Sequence, residues 1–298
     1  MLDINADIYI TGSNAYLLSG ELATYLAGRY IEIRLYPFSF AEVLAMEKHQ
    51  GNIVSIRDSF RTYVKRGGFP FLYNYSFSDA DAMLYLTDIF NSTILKDIVQ
   101  RNRVRDAALL RMLILYFIAN TANTFSANSI IKYLKNQKRS ISTETIYNYI
   151  EYCRSACLLH LVKRNDLAGK SLLATQEKIY LVDHGIREAL LGTNETHINL
   201  VLENIVYMEL IRRGYEVTVG KLKTLEVDFC AQKGTETLYI QVCYLLATDE
   251  TINREFGALA LIPDNYPKYV FSMDEFDFSR NGIIHKNICD FLLETLST

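Results

Sequence analysis

The sequence predicts an α/β, multidomain protein, and three observations lead to that fold class. Its 298 residues exceed the usual size of one domain and favour two or three. A helical pattern over residues 202–210 is followed by three short β-branched and aromatic runs at 215–219, 225–231 and 237–244. Residues 40–157 show mainly helical periodicity. We therefore expect a helical part followed by a helix and a β-meander.

The composition is that of a folded protein. Half of the residues are hydrophobic and 22% are charged, which supplies enough apolar surface for packed cores. The longest uninterrupted apolar run, Met112–Ala119, is far below the roughly 20 residues of a membrane-spanning helix. The N-terminus has no signal-peptide pattern, and the cysteines lie mostly in apolar patterns typical of reduced thiols. We expect a cytoplasmic protein without a membrane partner.

The net charge of −3 conceals an uneven distribution. Residues 96–183 contain 14 Lys and Arg against 7 Asp and Glu, whereas the counts are 7 against 10 in residues 1–95 and 10 against 17 in residues 184–298. A basic middle third is typical of a surface that binds a polyanion, and solvated helix faces give the same count. The counts leave both explanations open.

Residues 1–40 are predicted as the first unit. Residues 7–11 form a short apolar strand, a helix is predicted from Ser19 to Ala27, and a second strand is predicted from Tyr30 to Leu35. Residues 41–100 follow as a helical lid or linker with little chemical signature.

The first unit resembles the closing part of an AAA-superfamily ATPase module. The strand that ends in Thr11-Gly12-Ser13-Asn14 is similar to the segment that monitors the γ-phosphate of ATP, so the resemblance implies nucleotide contacts for Thr11, Ser13 and Asn14. It also implies an arginine-finger role for Arg29, because a guanidinium stabilises charge on a transferred phosphoryl group. A surface arginine after a helix stop is the alternative.

The phosphate-binding motif G-x-x-x-x-G-K-[ST] is missing from the sequence. Gly169-Lys170-Ser171 has Arg164 in place of the first glycine and lacks the strand-to-helix context that cradles phosphates. We therefore expect the chain to begin inside the ATPase module. By itself it would bind no cofactor, and ATP and Mg²⁺ would be cofactors only together with the missing part.

Residues 101–183 have the pattern of a winged helix-turn-helix. Ser126 and Ser142 are predicted N-caps of its second and third helices, and residues 163–170 are the predicted wing loop. In a DNA-binding version the third helix reads base edges and the wing contacts phosphates. The predicted nucleic-acid contacts are Thr143, Tyr147, Asn148, Lys163, Arg164 and Lys170. Double-stranded DNA, a protein partner and self-association all stay open.

Residues 184–298 carry three polar residues that interrupt apolar patterns. Glu203 lies on a predicted helix, and Asp228 and Gln241 lie inside strand runs, so the three are predicted to converge at one end of the sheet. This arrangement resembles the PD-(D/E)xK nuclease-like fold, whose acidic residues hold a divalent metal beside a lysine. Here the last pair is Gln241-x-Cys243. An amide binds Mg²⁺ more weakly than a carboxylate, and a thiol cannot replace an ammonium.

Two further segments, Lys178–Gly185 and Leu202–Val217, extend the resemblance to a prokaryotic family. Its members join an AAA-type ATPase to a winged helix and a nuclease-like domain of unassigned function. The resemblance implies a nucleic-acid- or protein-binding portion with a degenerate nuclease site. The alternatives are a metal-dependent DNA nuclease with Glu203, Asp228 and Gln241 as catalytic residues, or a truncated form of an active ATP hydrolase. Whether the chain is an enzyme stays open, and no metal ligands are assigned.

Overall fold

The computed structural model describes residues 9–11, 30–53, 55–136, 139–167, 169, 171–192, 195–222 and 224–294, without the side chains of residues 93, 94, 171–176 and 195. Thr11 is exposed and has no regular secondary structure, and Ser13, Asn14 and Arg29 lie outside the described residues. The strand predicted from Tyr30 to Leu35 is wrong. These residues have no strand hydrogen bonds, because no described strand pairs with them.

Five short helices, three of them capped by serine, build the N-terminal part as far as the structure describes it. They are α1 (Phe40–His49), α2 (Ile56–Arg66), α3 (Phe71–Asn74), α4 (Asp79–Asp88) and α5 (Lys96–Arg101), with a π-helical stretch, Ile89–Leu95, before α5. Ser39, Ser55 and Ser78 each accept a hydrogen bond from the main-chain N–H three residues later. Such caps satisfy N–H groups that a helix start leaves without partners. The helices predicted between residues 40 and 100 are confirmed, with the last one interrupted by the π-helical stretch.

Gly67 and Gly68, which follow α2, form a tight junction with Asp183. The Asp183 carboxylate accepts hydrogen bonds from the main-chain N–H groups of Gly68 at 2.7 Å and Gly185 at 2.8 Å. Burial raises the pKa of Asp183 despite the opposing effects of His184 and these two hydrogen bonds. A side chain at Gly68 would lie 2.2 Å from the carbonyl oxygen of Phe38. The junction therefore holds Gly68 and Asp183, which are far apart in the chain, in direct contact.

A three-helix unit with its own core follows. Its helices are α6 (Ala107–Ala119), α7 (Ala127–Asn136) and α8 (Thr143–Ser155). Ser126 and Ser142 accept hydrogen bonds from Ser129 and Thr145, as their predicted capping roles require. The core of this unit includes Leu110, Ile130, Ile146, Ile150, Leu159 and Ile179. Since the last two belong to the next two strands, the helices pack directly on a hairpin.

A seven-stranded mixed sheet runs through the second half of the chain. Its strands are β1 (Leu159–Asp166), β2 (Ser171–Leu181), β3 (Glu216–Leu222), β4 (Leu225–Lys233), β5 (Glu236–Val242), β6 (Lys268–Ser272) and β7 (Ile283–Asn287), in the order β2-β1-β3-β4-β5-β6-β7. The meander β3–β4–β5 is confirmed. The loop predicted for residues 163–170 is wrong over its first four residues, because β1 continues to Asp166.

The β1–β2 hairpin is continuous with the C-terminal sheet. Residues Arg164–Asp166 of β1 pair in parallel with Val219–Lys221 of β3. One hydrogen-bonded sheet therefore extends on both sides of residue 183, where the sequence analysis divides the chain.

Helices cover both faces of this sheet. Before them, α9 (Gly185–Leu191) packs mainly against α2 and α4. The helices on the sheet are α10 (Ile198–Arg212), α11 (Asp249–Ala260) and α12 (Ile288–Leu293), and a 3₁₀ turn, Glu195–His197, precedes α10. Ile240 shares a core with Leu202 and Val206 of α10, whereas Tyr239 shares one with Phe256 of α11. Neighbouring strand residues point to opposite faces, so β5 separates the two helices.

The predicted α/β class is confirmed as a mixed α/β fold. Within the described ranges, no helix combines the length and apolarity needed to cross a bilayer.

Candidate functional site

A pocket of about 340 Å³ lies between the start of α10, the β4–β5 strands and α11. We call it the acidic pocket, and its polar lining consists of Asn199, Glu203, Thr224, Glu226, Asp228, Gln241, Arg254 and Glu255. It brings together Glu203, Asp228 and Gln241, the three residues predicted to converge.

Glu203 binds the hairpin from its position on α10. Its Oε1 accepts hydrogen bonds from Tyr180 Oη at 2.6 Å and from Lys178 Nζ at 2.8 Å. The next residue, Asn204, is fully buried and pairs with both main-chain groups of Leu181 at 2.7 and 2.9 Å. Adjacent residues of α10 therefore hold three residues of β2 in place.

Lys178 places an ammonium among the carboxylates. Its Nζ lies 2.8 Å from Glu203 Oε1, 2.8 Å from Glu226 Oε1 and 3.6 Å from Asp228 Oδ1. The Lys178 side chain is only 4% exposed. A second cation comes from β1, because Arg164 Nη2 lies 2.9 Å from Glu226 Oε2. Both strands of the hairpin thus deliver positive charge to the carboxylates of α10 and β4.

Hydrogen bonds fix the opposite wall of the pocket. Gln241 Oε1 accepts the main-chain N–H of Asp228 at 2.6 Å, and Gln241 Nε2 donates to Glu255 Oε2 at 2.9 Å. Asp228 Oδ2 accepts the main-chain N–H of Val242 at 2.9 Å. Arg254 donates to Glu255 Oε1 through two nitrogens, at 2.7 and 2.9 Å. The amide of Gln241 therefore bridges β4 and α11.

Burial and neighbouring charge set the protonation of the pocket. Burial and the nearby Glu203 raise the pKa of Asp228 well above its usual range. Burial acts to lower the pKa of Lys178, but Glu203, Asp228 and Glu226 raise it further, so the net shift is upward. The Lys178 ammonium and the Arg164 guanidinium lie against the carboxylates of Glu203 and Glu226.

The donor set does not fit a divalent metal in this arrangement. Mg²⁺ needs oxygen ligands free to coordinate it, and the carboxylates nearest Asp228 already bind the Lys178 ammonium and the Arg164 guanidinium. Across the described part of the chain, no three His, Cys, Asp or Glu side chains are grouped as a metal site. Cys243 lines the pocket, and burial raises the pKa of its thiol.

The residues predicted to contact nucleic acid differ in their exposure to solvent. Thr143 and Asn148 on α8 and Lys163 on β1 are exposed, whereas Tyr147 is half-buried and donates to Glu177 at 3.1 Å. Arg164 is buried against Glu226 instead of lying on an exposed wing loop. Lys170 lies outside the described residues.

Lys178 is the main site residue that the sequence analysis missed. It stands at the start of the apolar run Lys178–Val182, two residues before Tyr180, so both side chains point to the same face of β2. A lysine on the inward face of a buried strand is a signal for an acidic partner, because an unpaired buried ammonium is costly.

Asp228→Asn is expected to make the free energy of unfolding less sensitive to pH. A carboxyl whose pKa is raised in the folded state contributes most to the free energy of unfolding at pH values below its unfolded pKa of about 3.9. That contribution is lost as the pH rises towards the folded-state pKa. An amide does not ionise. In urea unfolding between pH 4 and pH 7, the free energy of unfolding of the variant should rise relative to that of the native chain by up to about 1.4 kcal/mol per pH unit. Asp249→Asn, at an exposed position, is the control. If the pH profile of Asp228→Asn ran parallel to that of the native chain, the raised pKa of Asp228 would be contradicted.

Two known protein families match parts of the chain. Residues 2–44 match a family described as AAA domain, which links the chain to AAA-like ATPases. Residues 57–197 match a family described as a domain of unknown function, DUF8612. No solved structure matches the chain.

Two relatives that match most of this chain then define the family. The chain is 38% identical over 299 residues to an uncharacterised protein of Haemophilus influenzae, covering 98% of this chain and 72% of that relative. It is 31% identical over 255 residues to an uncharacterised protein of Methanocaldococcus jannaschii, covering 82% of this chain and 56% of that relative. The chain belongs to the same family as the Haemophilus influenzae protein.

Proposed function

We propose that this chain is a DNA-binding portion of an AAA-type ATPase-related protein, with a nuclease-like α/β unit that does not cleave. In this proposal the helices α6–α8 and the β1–β2 hairpin act as a winged helix on double-stranded DNA. The nuclease-like unit serves as the rigid support of that hairpin. The observation that carries the non-cleaving part is the position of Lys178 between Glu203 and Glu226. The DNA-binding part is supported by the basic excess of residues 96–183.

The support for a nuclease-like ancestry is the convergence of Glu203, Asp228 and Gln241 on one pocket. The support for a non-cleaving site is chemical. The ammonium of Lys178 occupies the space among the carboxylates where a divalent cation would have to lie, and Gln241 is committed to Asp228 and Glu255. The buried Glu203 and the partly exposed Glu226 are each bound to an internal cation, so they gain little from a metal unless those cations leave.

Titration with Mn²⁺ tests the non-cleaving site. Isothermal titration of the 298-residue chain should give no binding up to millimolar Mn²⁺, and supercoiled plasmid should stay intact under the same conditions. The alternative is a metal-dependent nuclease, which the proximity of Glu203 and Asp228 favours. A micromolar Mn²⁺ site that is lost in Asp228→Asn, together with plasmid nicking, would establish that alternative.

Lys163→Ala is expected to weaken binding to duplex DNA uniformly across sequences. Lys163 is exposed on β1, the strand that packs against α8, so in a winged helix it would contact phosphate. Removing one phosphate contact should reduce the slope of log K against log salt by about one unit. Fluorescence anisotropy with a labelled short duplex over a salt series measures that slope.

Lys48→Ala on α1 is the matched control, because Lys48 is exposed and distant in sequence from the hairpin. Equal slopes for the native chain and both variants would contradict DNA contact by the hairpin. Absence of any salt-dependent binding would favour protein docking by the three-helix unit instead.

A further inference from the structure

Residues 30–35 carry a row of large apolar side chains that are exposed to solvent. Ile31 is 89% exposed, Ile33 is 75% exposed and Leu35 is 90% exposed, and we call these three the apolar row. They alternate with Glu32 and Arg34, whose exposed side chains form an ion pair at 2.8 Å. Every second side chain of an extended chain points to the same face. The stretch therefore has the pattern of a strand with one apolar and one charged face, although it has no regular secondary structure here.

The residues that follow the apolar row are anchored to the body of the protein. The carbonyl oxygen of Pro37 accepts a hydrogen bond from Arg212 Nη2 at 2.9 Å. The main-chain N–H of Phe38 donates to the carbonyl oxygen of Gly68 at 2.7 Å, and Tyr63 Oη donates to the carbonyl oxygen of Phe38 at 3.2 Å. The apolar row thus ends two residues before a fixed point, which holds it beside the protein body with its side chains in solvent.

The apolar row belongs to the region that matches the AAA domain, residues 2–44. Two other described residues of that region, Tyr9 and Ile10, are also large, apolar and exposed. Across the described ranges, the strands form one sheet that begins at Leu159, and none of them pairs with residues 30–35. Both relatives also contain sequence that this chain does not match. A contiguous exposed apolar surface marks an interaction site, and here the family match indicates an ATPase core as the partner.

We propose that residues 30–35 dock as a strand on the edge of the sheet of an AAA-type ATPase core. A strand added to a sheet edge pairs its main-chain groups with the neighbouring strand and buries alternate side chains, which here are those of the apolar row. The edge position follows from Glu32 and Arg34, because interior strands of α/β sheets are buried on both faces and are apolar throughout. The inference rests on the ATPase-related part of the proposed function and is independent of DNA binding.

Coexpression tests this docking. The probe is the part of the Haemophilus influenzae relative that the match leaves uncovered, produced together with the tagged 298-residue chain. The probe should copurify with the native chain. Ile33→Lys should reduce the recovered complex at least about tenfold, because it places an ammonium on the face that becomes buried. A probe that does not copurify with the native chain overturns the proposal.

Two control variants test the face and the position of the contact. Arg34→Ser changes the opposite face of the same stretch, and Ile53→Lys changes a fully exposed isoleucine outside it. Both should leave the recovered complex unchanged. Circular dichroism checks that all three variants are folded, as expected for substitutions at exposed positions. Equal losses for Ile33→Lys and Ile53→Lys would overturn the proposal.

Hydrogen exchange resolved to single residues tests the strand geometry. In the complex, every second main-chain N–H of residues 30–35 should exchange at least about tenfold more slowly than in the chain alone, because an edge strand is hydrogen-bonded on one side only. Slowing at consecutive N–H groups would contradict the edge position, and unchanged exchange would overturn docking by this stretch. Slowing in the chain alone at rising concentration would assign the surface to a second copy instead. DNA binding is measured separately on the chain alone, so its failure leaves these outcomes unaffected.

Discussion

Replacing Lys178 by methionine is expected to lower the free energy of unfolding by about 3–5 kcal/mol. The ammonium lies 2.8 Å from both Glu203 and Glu226, and its side chain is 4% exposed. Methionine fills similar volume but leaves Glu203 buried without its cation. Urea denaturation of the native chain and the variant at pH 7 measures the loss.

Lys163→Met on the preceding strand is the matched control, because Lys163 is exposed and its replacement should change stability by no more than about 0.5 kcal/mol. A second variant, Lys178→Ala, leaves space among the carboxylates. Mn²⁺ should stabilise this variant and not the native chain, by about 2.7 kcal/mol at a hundredfold excess over its dissociation constant. A loss below 1 kcal/mol for Lys178→Met would mean that the ammonium is not the main charge partner of Glu203.

Replacing Gly68 by alanine is expected to prevent stable folding or to destabilise the chain by more than about 3 kcal/mol. The new Cβ would lie 2.2 Å from the carbonyl oxygen and 2.9 Å from the nitrogen of Phe38, and main-chain atoms cannot rotate away. Any displacement would also disturb the hydrogen bond from Gly68 to Asp183. Thermal unfolding followed by circular dichroism gives the shift in Tm.

Gly257→Ala provides the opposite expectation. Gly257 lies within α11, and an added Cβ would meet no atom within 4 Å. Alanine in a helix interior is favoured over glycine by about 0.8–1.0 kcal/mol, so this variant should be slightly more stable than the native chain. If both alanine variants changed the free energy of unfolding by the same amount, a steric clash with Phe38 would not explain the effect of Gly68→Ala.

Local patterns predicted much of the fold. The capping roles of Ser126 and Ser142 and the succession of three strands from Glu216 to Val242 follow from residues a few positions apart. The convergence of Glu203, Asp228 and Gln241 was also predictable, because each interrupts an apolar pattern on an element whose type was clear.

Long-range pairing explains what the sequence analysis missed. Lys178 and Arg164 belong to a hairpin, and nothing in the hairpin's own pattern indicates that it joins β3 in parallel. That pairing brings the two cations to carboxylates on α10 and β4. Arg164 was predicted at an exposed wing for the same reason. The junction of Gly68 with Asp183 likewise depends on a contact between residues 115 positions apart.

The shared hairpin also determines how the chain can be divided. A protein cut after Asp183 would keep β1 without β3, and the remaining piece would keep Glu203 and Glu226 without Lys178 and Arg164. The first piece would expose the hydrogen-bonding edge of β1, which favours aggregation. The second would lose the cations that neutralise Glu203 and Glu226 and the β2 side chains that cover Glu203. Neither half should therefore be recovered as a soluble, folded unit. Coexpression of the two halves should instead yield a complex that copurifies, because each supplies what the other lacks.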